Sequence, residues 1–320
     1  MNSKVKKVVA EVPHRISGFF EIVDEINGKK IENPENIGSS GAGFNLSALG
    51  RTEIVVYDNS ELKKDHIEIH INDEKLNEEA ETTDYILHYM KKYIPDPVNL
   101  KVFHEFELPV GCGYGTSGSG ALGVVFGLNE IFNLKLSYQE LGRIAHIAEV
   151  VNRTGLGTVC GQLAGGLCIL KKAGYPCSYD LIEYPEGINV ICGTFGILPT
   201  KSILNDPVLS LKIKRAGQKA LQRLINQPSL KEFVSASIDF VRETEILDIL
   251  DLEIIKDIIN DLNKLDILGA SMNQLGRSFY AICKQKSLKN VMGIINSYKP
   301  EIKIYNLAIS KKTPKVIGKK

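Results

Sequence analysis

Residues 108–123, LPVGCGYGTSGSGALG, set Gly111, Gly113, Gly115 and Gly118 among Thr116, Ser117 and Ser119. The apolar run 121–134 follows and reads as a helix. A glycine-rich turn opening a helix suits phosphate: glycine lets the backbone approach an anion, and free N–H groups point at it. The hydroxyls add hydrogen bonds or a metal ligand. The segment has no lysine, so it is not a Walker loop. GYGTSG, from Gly113, matches GxGxxG, but the dinucleotide reading also needs a second strand ending in an acid. Glu130 and Glu140 lie nearby, yet the sequence after the loop is helical.

Other segments supply further chemistry. Ser137 and Glu140 have capping-box spacing and start a helix with Leu141, Ile144, Ala145 and Ala148 on its apolar face. His146 and Glu149, three apart, share a face of that helix, which is expected to end near Gly155. Pro13, His14 and Arg15 follow a strand-like run near the start. Lys171 emerges at the end of the apolar run LCIL, and Thr200 and Lys201 sit in LPTKSIL after a buried-looking strand. Each has a plainer reading as a surface turn, a core contact or a solvated lysine.

PVGCGYGTSGSGA is similar to the PxGxGLGSSAA signature of the GHMP small-molecule kinases, unbroken in spacing from Pro109 to Ser117. Tyr114 stands where that family often has leucine, and Gly118–Ser119 replace its Ala–Ala pair. VVAEVPHRISGFFEI, the helix carrying Glu149, and ILGASMNQLGRSFYAI (residues 267–282) resemble further family segments in the same order. Together with IGSSGAGFNL and TGLGTVCGQLAGG, they resemble the archaeal pantoate kinase branch over nearly the whole chain. The resemblance implies an α+β fold in two domains: a ribosomal-S5-like ATP-binding domain over 1–186 and a ferredoxin-like domain over 187–320. It implies ATP against Pro109, Gly111, Gly113, Tyr114, Gly115, Thr116, Ser117, Gly118 and Ser119, and Mg²⁺ on Ser117 and Glu149. Pantoate is a hydroxy acid whose carboxylate wants cationic partners. The candidates are His14, Arg15, His146 and Lys171, with Thr200 and Lys201 in a loop that approaches the substrate. Many family members carry an aspartate where this chain has Thr158, which cannot serve as a base near neutral pH. Phosphoryl transfer depends mostly on positioning and charge neutralisation, so catalysis is expected from Mg²⁺ on Ser117 and Glu149, the loop N–H groups and basic residues. A kinase for another small alcohol or acid (shikimate, homoserine, mevalonate-like) and a non-catalytic ligand-binding relative are the competing readings.

The composition fits a cytoplasmic enzyme. Among 320 residues, 39 Lys and Arg balance 38 Asp and Glu, which implies neither a nucleic-acid nor a membrane partner. No apolar run reaches membrane-spanning length, and no signal peptide is read at the start. The six cysteines show no CxxC pair, so neither zinc nor a disulfide framework is expected, and reduced buried thiols are the default. Strands are expected at 5–12, 52–57, 66–71 and 100–108, with 37–50 a turn between strands that lines the acceptor pocket. A helix is expected over 79–93, mostly helical sequence over 207–265, and a solvated tail at KKTPKVIGKK. A homodimer is left open, with no interface legible.

Overall fold

β1 (Val5–Val23) and β4 (Gly38–Tyr57) form an antiparallel pair running from Val5 opposite Tyr57 to Val23 opposite Gly38. The register slips at Pro13/Arg15 and again at Ser17/Phe19. Such bulges bend a strand and turn its side chains. Here they divide the pair between two cores. Val8, Ala10, Val12 and Ile54 lie in one. Ile16, Phe19, Phe20 and Phe44 lie in the other. The structure is a computed structural model describing residues 5–57, 62–77, 80–198, 206–298 and 302–319.

The short hairpin β2 (Glu25–Ile26) and β3 (Lys29–Lys30) joins the two long strands. β5 (His66–Ile71), β6 (Glu74–Lys75), β7 (Asn99–Phe106), β8 (Leu167–Lys172), β9 (Ser178–Ile182) and β14 (Lys315–Lys319) complete the first sheet. β4 pairs with β7 over Gly50–Val56 and with β8 over Gly41–Phe44. β10 (Ile188–Thr194), β11 (Gly269–Met272), β12 (Ser278–Lys284) and β13 (Lys303–Leu307) form a second, antiparallel sheet in the order β11-β12-β10-β13.

α2 (Thr116–Ile131) lies on β1 and β4, with α1 (Glu81–Met90) and α3 (Tyr138–Asn152) packed on it and α4 (Thr158–Ala164) beside them. Gly123 allows this contact, because a Cβ there would stand 2.1 Å from Thr52 Oγ1. α5 (Pro207–Asn226) and α6 (Leu230–Thr244) cover the distal half of β1. After the short α7 (Ile246–Ile249), α8 (Glu253–Leu262) packs on the second sheet with α9 (Leu288–Ser297). Helices and mixed strands together make an α+β fold.

Three expectations are corrected. Residues 38–50 are not a turn but the glycine-rich half of β4; Gly41 and Gly43 are there because a Cβ would stand 2.4 Å from Phe19 O and 2.2 Å from Ile16 O. The basic tail is not a solvated end, since β14 pairs with β1 through Val8–Lys319 to Glu11–Lys315. The cysteines are not all reduced: Cys160 of α4 is bonded to Cys177, just before β9, with Cα atoms 5.4 Å apart. Cys112, Cys168, Cys192 and Cys283 are free and buried. The expected boundary at 186/187 falls between the last strand of one sheet and the first of the other, but β14 crosses back to the first sheet.

Candidate active site

The loop between β7 and α2 is built on left-handed glycines. Gly113 has φ +84° and Gly115, the N-cap of α2, has φ +65°. Space as well as φ demands glycine: a Cβ would stand 2.8 Å from Gln274 O at Gly113 and 2.7 Å from Thr158 Cγ2 at Gly115. Gly115 offers no side-chain cap, so the first N–H groups of α2 have no partner within the helix and point out as an anion site. The loop is tied to β1 by Arg15 N–H donating to Tyr114 O at 3.0 Å. Gln162 of α4 braces it from behind, its Nε2 lying 2.9 Å from Gly115 O, 3.0 Å from Pro13 O and 2.8 Å from Ser119 Oγ.

A cavity of about 340 Å³ opens over this loop. One wall is Gly111, Gly113, Gly115, Thr116 and Ser117 with residues 153–158; the other holds Arg15, Phe20, Gln274 and Leu275. No Asp or Glu lies among its described lining residues. Thr158 is in the wall, at the first turn of α4, with its methyl against the glycine loop.

Below Ser117 lies Glu149, on α3 and 1% exposed. Thr154 Oγ1 donates to its Oε1 at 2.7 Å, and the Ser117 hydroxyl, which donates to Thr154 O at 3.4 Å, lies near enough to favour the charged carboxyl. Oε2 has no partner. Gly155 packs against that atom, since a Cβ there would stand 2.1 Å away. Burial pushes the Glu149 carboxyl up to about 7, against the hydrogen bonds that favour its charged form. An orphaned, buried carboxylate oxygen beside a hydroxyl fits a hard divalent cation. The described residues hold no cluster of three or more His, Cys, Asp or Glu. This donor set therefore suits a cation that takes its remaining ligands from phosphate and water.

Arg15 is 2% exposed. Its Nη2 donates to Cys168 Sγ at 3.3 Å and its Nη1 to Asn45 Oδ1 at 3.4 Å, both weak partners, and no carboxylate pairs with it among the described residues. Its guanidinium fills the space beside Gly161 of α4, where a Cβ would stand 2.0 Å from Nε and 2.1 Å from Cζ. A buried guanidinium without a counter-ion is costly.

The structure separates the other named residues from this cavity. His14, adjacent to Arg15, faces the opposite way: it is fully buried, its Nδ1 is 3.2 Å from Ser119 Oγ, and burial lowers it to about 3. His146 is buried, donates Nε2 to Ile37 O at 3.0 Å, and is held below the ordinary histidine range by burial. Lys171 is exposed and paired with Asp180 at 2.8 Å. The Tyr114 ring is core, edge-on to Tyr305. Pro109, Gly118 and Ser119 support the loop from outside the cavity wall, whereas Gly111, Gly113, Gly115, Thr116 and Ser117 line it. Thr200 and Lys201 lie outside the described residues. Arg153, Thr154, Gln162 and Gln274 were not singled out from sequence. All four stand in motifs already noticed, but Gln162 and Gln274 take their roles from contacts with β1 and the loop, and Thr154 from Glu149.

Residues 81–166 match the GHMP kinases N terminal domain. The chain is 33% identical to a pantoate kinase of Methanocaldococcus jannaschii over 285 residues, covering 89% of this chain and 96% of that protein. It is 30% identical to a pantoate kinase of Thermococcus kodakarensis, covering 90% and 91%. A solved structure described as a phosphotransferase related to the CoA biosynthesis pathway superposes with a TM-score of 0.83 at 26% identity, covering 98% of both chains. The glycine loop falls inside the matched domain and the likeness extends through both sheets, so the chain belongs to the GHMP kinases, in the pantoate kinase family.

Proposed function

We propose that this chain transfers the γ-phosphoryl group of ATP to the 4-hydroxyl of pantoate. The observation that carries the choice of acceptor is Arg15. A buried guanidinium with no carboxylate partner among the described residues, in the wall of a cavity beside a phosphate-type loop, suits a small acid as substrate. Membership of the pantoate kinase family points to the same acceptor.

The residues divide the task by position. The N–H groups at the start of α2 receive the phosphates. Ser117 and Glu149 would hold Mg²⁺, which supplies neutralisation of phosphate charge. Arg15 holds the carboxylate end of the acceptor, and Phe20 and Leu275 contribute apolar wall for its methyl-bearing carbon. The acceptor oxygen forms a bond to the γ-phosphorus as the bond to the β-bridging oxygen breaks. With Thr158 in the wall and no carboxylate among the described lining residues, the hydroxyl proton leaves late, to an oxygen of the transferred phosphoryl. Positioning and charge carry the rate.

The test is ADP release from ATP–Mg²⁺ with D-pantoate beside shikimate, homoserine and mevalonate. Turnover with pantoate is expected. Turnover with another acceptor alone would sink the assignment, and nucleotide binding without any turnover would favour a ligand-binding relative.

A further inference from the structure

Three consecutive residues of α4 face three different things. Cys160 is bonded to Cys177. Gly161 leaves the space that the Arg15 guanidinium fills. Gln162 braces Pro13, Gly115 and Ser119. The intrinsic helix terms of α4 are weak, and it is held by tertiary anchors: Val159 and Leu163 in the core, the Gln162 hydrogen bonds and the disulfide. It is seven residues long, with glycine at both caps and no side-chain cap at its N-terminus. A helix this short is marginal without tertiary anchors. The disulfide ties it to the turn before β9, which is fastened in turn by Tyr175 N–H donating to Glu35 O at 2.8 Å.

We infer that the Cys160–Cys177 disulfide is a positioning element for the acceptor site: it fixes α4 so that Gly161 forms the seat of Arg15. The inference rests on the reading that Arg15 holds the acceptor carboxylate. Cys177 is partly exposed, so the bond is open to thiol reagents from its side of the molecule. A dithiol such as dithiothreitol cleaves it to two thiols and closes into its own cyclic disulfide, which balances electrons and protons.

The experiment measures KM for pantoate and for ATP separately, with purified full-length enzyme, before reduction, after dithiothreitol, and after reoxidation. Reduction is expected to raise the pantoate KM about tenfold or more, since small misplacements of a positioning group are costly. The ATP KM is expected to stay within about twofold, because the loop is also tied to β1 through Arg15 N–H on Tyr114 O and to the second sheet through Ser278 Oγ on Cys112 O, neither of which involves α4. Reoxidation restores the original value. Cys177→Ser starts with the raised KM and ignores the reductant. Gly161→Ala keeps the bond, places a methyl group where the guanidinium lies, and raises the pantoate KM by a similar factor. An unchanged pantoate KM in the reduced enzyme overturns the inference. So does loss of the far-ultraviolet helical signal in step with activity, which would make the bond a general staple. Titration of six free thiols in denatured, unreduced protein overturns it as well. Absence of pantoate turnover before any reductant is added defeats the underlying reading, and the inference falls with it.

Discussion

Glu149 carries an oxygen whose needs the protein does not meet, and that makes it testable without substrate. Its folded pKa, about 7, is raised above the ordinary carboxylate value of 4.5. The folded state therefore binds its proton more tightly than the unfolded chain. Its contribution to stability is present below pH 4.5 and is lost as pH rises through about 7. In EDTA at pH 8, Glu149→Gln is expected to be more stable than the wild type by up to about 3 kcal/mol, with the difference vanishing near pH 4. Thermal melts at the two pH values check this. The same carboxyl must lose its proton to take a cation, so kcat/KM should rise through about pH 7, with the limb moving to lower pH as Mg²⁺ is raised. Activity of Glu149→Gln should fall by about 100-fold or more at saturating ATP. Gly155→Ala pushes a methyl group into Oε2 and should raise the Mg²⁺ requirement while the fold persists, as Mg²⁺ titrations of rate would show. Ser117 and Glu149 were legible as residues because loop and helix keep their spacing in the chain. Arg15 and His14 were not separable, because which neighbour faces a cavity is decided by the bulge at Pro13/Arg15.

At the scale of elements, the bent β1–β4 pair is what brings acceptor and phosphate chemistry together. The bulge lies where the two cores meet, so Arg15 emerges at the seam, beside the N-terminus of α2. α2 reaches this place only because its glycines let it sit close to the strands. Gly123→Val should clash with Thr52 and destabilise the protein by about 1–3 kcal/mol, read as a lowered Tm with KM values retained in the surviving fold. The helix starts at Ser137 and the phosphate loop were readable from local rules, and the capping box of Ser137 and Glu140 is present in full. Residues 38–50 misled those rules. Their glycines answer to Phe19 and Ile16 across the sheet rather than to a turn, and nothing local distinguishes the two causes. The disulfide was hidden for a similar reason, since its partners are 17 residues apart and meet only after β8 folds back on β4.

At the scale of the molecule, both sheets share one apolar cluster, which joins Phe19 and Phe44 of the long pair to Val190, Phe279 and Ile282 of the second sheet. The α+β class was legible through the family resemblance, because its motifs are local and keep their order along the chain. The return of β14 was not, since the run of lysines around Val316 and Ile317 reads as a solvated end. Removing residues 311–320 should uncover the edge of β1, lower Tm and promote association, which light scattering on heating would detect. That edge also has a history in time. The strand that covers β1 is made roughly 300 residues after it, about 15–60 s at ordinary elongation rates. Throughout that interval the growing chain presents bare N–H and C=O groups from Val8 to Glu11, so its exposure to misassembly is greatest on the ribosome. Slower translation of the second half would lengthen that exposure, and a short strand-mimicking peptide supplied early would compete for the same place.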